Sequence, residues 1–156
     1  MDTEGVHVVY ADASSYQLRR AYRPLGSVSW SFETVPVTPA GLVAVALDEA
    51  GGVHVGLSTD SYGIPNYAYR SPAGGWTTEA LTAGSIPTFD LIVLGGAVHV
   101  MSYGLHLSRA VAASEWTTEP APWFAGASLA GTADGTLHAV FTGLTGIQHA
   151  RRMECP

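Results

Sequence analysis

Between Gly41 and Leu81 short apolar or alternating runs follow one another: LVAVAL, VHVGL, NYAYR and WTTEA. The turn-forming segments DEAGG, STDSYGIP and SPAGG separate them. Alternation at a period of two, with Val, Thr, Tyr and Trp at the apolar positions, predicts strands. No segment of helical length holds apolar residues at i, i+3, i+4 and i+7 without an interrupting Gly or Pro. The runs LVAVAL and DLIVL are nearly continuous in apolar residues, as strands covered on both faces are.

The same order of runs recurs along the chain. An apolar–His–apolar strand stands at Val6-His7-Val8, Val53-His54-Val55, Val98-His99-Val100 and Leu137-His138-Ala139. An alanine-centred strand follows at Arg20-Ala21-Tyr22, Tyr67-Ala68-Tyr69, Arg109-Ala110-Val111 and His149-Ala150-Arg151. A Trp-x-x-Glu segment closes the unit at Trp30, Trp76 and Trp116. From His to Ala the spacing is 14, 14, 11 and 12 residues, which describes a hairpin with a variable loop. The pattern predicts an all-β chain of 14 strands in one domain, residues 1–156. Residues 6–35 supply three strands, 41–81 four, 88–120 four and 127–152 three.

A repeat of about 40 residues and four strands has the size of one β-propeller blade. The order D-x-x-G-x-x-H-V, then Y-A-x-R, then W-x-x-E resembles short bacterial propeller repeats of the sialidase-like or lectin-like sort. The best matches are Leu47-Asp48 through His54, Asn66-Tyr67-Ala68-Tyr69-Arg70, and Ala133-Asp134-Gly135 through His138. The resemblance implies a propeller of about four blades per chain and brings no catalytic residue with it. The sialidase Asp-box, S-x-D-x-G-x-T-W, is not matched, since Ser58-Thr59-Asp60-Ser61 is followed by Tyr62 where Gly belongs. The first blade then lacks its inner strand and the last its outer one, which leaves strand edges to be covered. A small ring with two trimmed blades, a fragment of a longer polypeptide, and a larger ring shared by two chains all answer this. The homodimer is favoured, because a two-fold closes both ragged ends at once.

Composition narrows the partners. Apolar residues make up 47% of the chain and charged residues 13%, the reverse of a disordered segment. A net charge of −6 disfavours nucleic acid and anionic membrane, which are bound through basic patches. All seven basic residues are Arg, so the cationic groups are planar, forked donors. No apolar run approaches the roughly 20 residues of a membrane span. The start, MDTEGVHVVY, lacks the basic and apolar regions of a signal peptide, which fits a cytoplasmic protein or a mature secreted domain. The single Cys155 provides no disulfide framework.

Candidate chemistry follows from the repeat. His7, His54, His99 and His138 occupy equivalent strands about 10 Å apart, too far to share a metal ion. They are expected to hydrogen-bond neighbouring strands or turns, and neither metal nor cofactor is expected. Trp30, Trp76 and Trp116 are expected to pack between blades. Trp123, with Phe124, breaks the repeat in PAPWFAG and is a candidate ligand platform. Polar, hydrogen-bonding side chains recur just before the alanine: Arg20, Tyr67, Arg109 and His149, with His106, Tyr103 and Arg152 alongside. One such donor per blade could hold a polar or anionic ligand. There is no G-x-S-x-G, and no sequence pattern pairs carboxylates: Glu33, Glu79 and Glu119 belong to the repeat, Asp60 and Asp90 stand outside it. These features favour a non-enzymatic binding module for a small polar ligand, glycan or peptide. A protein-interaction scaffold and a sialidase-like glycosidase or lyase are the alternatives.

Overall fold

A computed structural model describes residues 5–39, 41–59, 64–81, 89–102, 104–121, 127–143 and 146–153. They form 14 strands and, among the described residues, no helix. The strands make four antiparallel sheets in chain order. The first holds β1 (Gly5–Asp12), β2 (Gln17–Pro24) and β3 (Ser31–Val35). The second holds β4 (Val43–Leu47), β5 (Val53–Ser58), β6 (Pro65–Arg70) and β7 (Trp76–Ala80). The third holds β8 (Phe89–Leu94), β9 (Ala97–Ser102), β10 (Leu105–Ala110) and β11 (Thr117–Pro120). The fourth holds β12 (Ala127–Gly131), β13 (Thr136–Gly143) and β14 (Gly146–Met153). The strand count and the three-, four-, four- and three-strand division are those the hydrophobic pattern predicts.

Each sheet is a meander of hairpins, and the turns show why the chain reverses where it does. Between β4 and β5 the Asp48 carboxylate accepts the Ala50 and Gly52 amides at 2.9 and 2.7 Å. Gly51 supplies the left-handed backbone, φ 85°, that closes this turn. Between β8 and β9 the loop is Gly95-Gly96, both at positive φ (58° and 75°), the signature of a type I′ hairpin.

Because side chains alternate across a strand, every sheet has two faces. One carries the recurring histidine and, on the last strand, the recurring glutamate. The other carries the flanking valines and an arginine. In the second sheet, for instance, His54, Tyr67 and Glu79 share one face, and Val53, Val55, Ala68 and Arg70 the other. The sheets stack so that the histidine face of one meets the arginine face of the next. Leu18 and Val35 of the first sheet pack against Val53, Val55, Leu57 and Ala68 of the second. Tyr67 of the second packs against Leu91, Val98, Val100 and Leu107 of the third. Met101 of the third packs against Ala139 and Phe141 of the fourth. The sheets' first strands touch in sequence, β1 on β4, β4 on β8 and β8 on β12. Trp76 and Trp116 lie in these layers, as the repeat predicts, whereas Trp30 stays 39% exposed.

An ion pair crosses each of the three layers at the same place. Glu33 of the first sheet meets Arg70 of the second at 2.7 Å. Glu79 of the second meets Arg109 of the third at 2.6 Å, and Glu119 of the third meets Arg152 of the fourth. The Arg109 side chain is 10% exposed and also lies over the Tyr67 and Trp116 rings, 4.8 and 4.4 Å from their centroids. Glu119 and Arg152 are 41% and 45% exposed. Burial therefore makes the second pair worth more than the third, since an exposed pair gains little over its hydration. Glu79→Gln is expected to lower unfolding free energy by about 1–2 kcal/mol and Glu119→Gln by under about 1 kcal/mol. Urea denaturation of the two variants checks that order, and equal losses would contradict it.

Candidate functional site

Strand pairing corrects one alignment made from the sequence. His54 lies opposite Tyr69, and His99 lies opposite Ser108. Position for position, Leu107 and not Ala110 therefore matches Ala21, Ala68 and Ala150. The donor set just before it is Arg20, Tyr67, His106 and His149. Arg109 belongs instead with Arg23, Arg70 and Arg152, the arginines of the opposite face. The short loop between β9 and β10 shifted the alanine landmark, because an alanine in the third sheet happens to fall three residues late. A second offset affects the fourth sheet. Gly135 donates its amide to the Thr132 carbonyl as Gly51 does to Asp48, so Thr132, not Asp134, holds the place of Asp48.

Arg20, Tyr67 and His106 each sit in a different layer, and His149 lies on the outer face of the fourth sheet. In the layer between the second and third sheets, His54 Nε2 lies 3.0 Å from Asp48 Oδ2 and His54 Nδ1 lies 2.5 Å from the Tyr67 hydroxyl. The D-x-x-G-x-x-H spacing produces this relay by folding the aspartate of the turn back onto the strand's histidine. Burial holds the His54 pKa below its ordinary 6.5, against the opposing pull of Asp48, so the imidazole is neutral. It donates to Asp48 and accepts from Tyr67. Burial by itself would raise the Asp48 carboxyl, but its hydrogen bonds from His54, Gly52 and Ala50 hold it below the usual range. Tyr67 is 2% exposed and burial pushes its phenol up to about 12. The order Asp–His–Tyr is that of a proton relay, and its Tyr67 hydroxyl is enclosed between the two sheets.

The layer between the third and fourth sheets brings His106 and Arg152 together around Glu119, with His106 Nδ1 2.6 Å from Glu119 Oε1. His99 stacks on His106 at 5.3 Å and 3° between planes. The cavity beside them is about 140 Å³ and walled mainly by Met101, Leu137 and alanines. His149 stacks on His138 at 5.2 Å on the outer face of the fourth sheet. Tyr103, Trp123, Phe124, Asp60 and Cys155 lie outside the described residues. Asp90 accepts the Leu129 amide at 2.6 Å and so ties β8 to β12.

Arg20 is the donor that opens on usable space. A cavity of about 420 Å³ lies between the first and second sheets. His7, Arg20, Tyr22 and Glu33 wall it on one side, and Ala50, Gly51, Arg70 and Pro72 on the other. Arg20, 6% exposed, donates from Nη1 to Glu33 Oε1 at 2.6 Å. Its Nε and Nη2 lie 3.3 and 3.0 Å from His7 Nδ1, so His7 accepts there. The guanidinium also lies 5.0 Å from the Tyr22 ring centroid. Two arginines thus share one glutamate in a chain of net charge −6, so among the described residues this wall carries more positive than negative charge. Of this cluster the sequence reading singled out Arg20 alone. His7, Glu33 and Arg70 stand out in the sequence only as members of the repeat, in the apolar–His–apolar, Trp-x-x-Glu and Y-A-x-R runs. Among the described residues no group of three or more His, Cys, Asp or Glu could hold a metal ion. Neither a family model nor a curated protein matches the chain.

The buried relay makes the fold sensitive to acid. Because the His54 pKa is lower in the folded chain than its ordinary 6.5, the unfolded chain takes up this proton first as pH falls. Stability present above about pH 6.5 is then lost downward, by at most about 1.4 kcal/mol per pH unit. The drop in urea midpoint between pH 7.5 and 5 is expected to be smaller in His54→Gln than in the wild type. An unchanged drop would show that another group sets it.

Proposed function

We propose that this chain is a β-propeller binding module that takes a small ligand bearing a carboxylate, an acidic sugar or a peptide C-terminus, between its first two sheets. The propeller reading rests on four meander sheets stacked face to face in chain order, with equivalent strands touching from sheet to sheet. The observation that carries the ligand reading is the polar wall of the 420 Å³ cavity, where Arg20 and Arg70 both point at the one carboxylate of Glu33. Planar guanidinium groups bind carboxylates through paired N–H donors. A ligand carboxylate shares the arginines with Glu33, and Tyr22 offers a ring face to the rest of the molecule. Aromatic area beside a few fixed polar groups is the usual make-up of a small-molecule site.

Titration calorimetry with glucuronate, glucose, and a short peptide with free or amidated C-terminus tests this. Glucuronate or the free-acid peptide is expected to bind and its neutral counterpart to bind at least roughly tenfold more weakly. Arg70→Gln is expected to weaken binding by a similar factor while thermal unfolding stays cooperative. Equal affinity for acid and neutral forms, or full affinity in Arg70→Gln, would sink the reading.

A further inference from the structure

We propose that a second copy of this chain seats its fourth sheet on the first sheet of the other, using the unlike-face stacking that joins the sheets within one chain. All three internal layers obey one rule, histidine face on arginine face. Among the described residues, the two end sheets leave one face of each kind uncovered. On the first sheet the open face is the arginine kind, with Val6 and Val8 exposed by 38% and 42%. On the fourth it is the histidine kind, with Val140 and Ile147 exposed by 46% and 83%. Val6, Val8 and Val140 stand where the inner sheets bury Val53 and Val98, Val55 and Val100, and Gly56 and Met101, so the open faces carry the apolar halves of the joint already made three times.

Surface area agrees with this. The chain exposes 8764 Å², against about 7,500 Å² for a compact monomer of its mass. The excess, roughly 1,300 Å², exceeds the ~800 Å² that each partner of a standard interface covers. Arg23 stands on the open face where Arg70, Arg109 and Arg152 find a glutamate in their own layers. It lies over the Trp30 ring and has no carboxylate partner among the described residues. The fourth sheet has no glutamate-bearing strand among the described residues, so apolar burial carries the intermolecular joint. Unlike faces make the contact heterologous, and two copies joined twice close a ring of eight sheets. The joint is separate from the carboxylate cavity, which lies within one chain.

Sedimentation equilibrium, with a mixing experiment, tests both the mass and which two faces pair. The wild type is expected at about twice 16.3 kDa. Val8→Glu and Val140→Glu change exposed side chains on opposite end sheets, so each is expected to fold, by circular dichroism, and to sediment as a monomer. An equimolar mixture of the two keeps one intact pair of faces and is expected to regain the dimer. A monomeric wild type, a variant that still dimerises, a mass that climbs past two copies, or a mixture that stays monomeric would each overturn the proposal. Should a glutamate unfold either sheet, the milder pair Val8→Ser and Val140→Ser applies the same mixing test.

Discussion

The structure depends on a constraint set by strand geometry: a sheet has two faces, and here the two differ in chemistry. An apolar face can be buried on anything apolar, which by itself gives no order to a stack of similar sheets. What orders this one is the glutamate on the last strand of one sheet reaching the arginine of the next. A sheet turned over would face arginine with arginine and leave two half-buried carboxylates unpaired, at a cost of several kcal/mol. The ion pairs thus contribute direction more than net stability, the hydrophobic layers the reverse.

The architecture was legible because repetition multiplies a weak signal. One run such as VHVGL can be a strand or a buried helical turn; four copies of the same order leave little choice. The turns added to it, since Asp48, Gly51 and the Gly95-Gly96 pair each demand a particular backbone. The site was less legible, for a physical reason. Which residues share a face depends on register, and register between repeats was inferred from an alanine that recurs because it is small. In the third sheet Leu107 fills that place and Ala110 lies beyond it, so Arg109 was grouped with residues of the opposite face. A one-residue slip reverses every side chain. Hydrogen-bonded pairing supplies what composition could not, and it exposes the row of four arginines.

The interlayer partners were invisible for a different reason. Trp-x-x-Glu stood out in the sequence, but its glutamate acts on the following sheet, 30 residues on in the case of Glu79 and Arg109. Nothing within one repeat identifies such a partner. A recurring charge at a strand end, inside a chain with 13% charged residues, was the available sign that it answered a counter-charge in the neighbouring copy.

The layers share a plan yet differ at the donor position, and that difference decides where a ligand can fit. Between the second and third sheets the donor is Tyr67, whose ring fills the layer, packs edge-on to Trp116 at 5.3 Å and caps His54. Arg20 in the same place replaces a rigid ring by a flexible cation that turns aside to His7 and Glu33. An arginine cannot pack a layer as tyrosine does, because its head must keep hydrogen-bond partners or water. A cavity of about 420 Å³ opens beside Arg20 in that layer, while Leu18 and Val35 of the same layer stay packed on the second sheet. The proposed ligand site rests on that exchange of a packing tyrosine for an arginine at one position of the repeat.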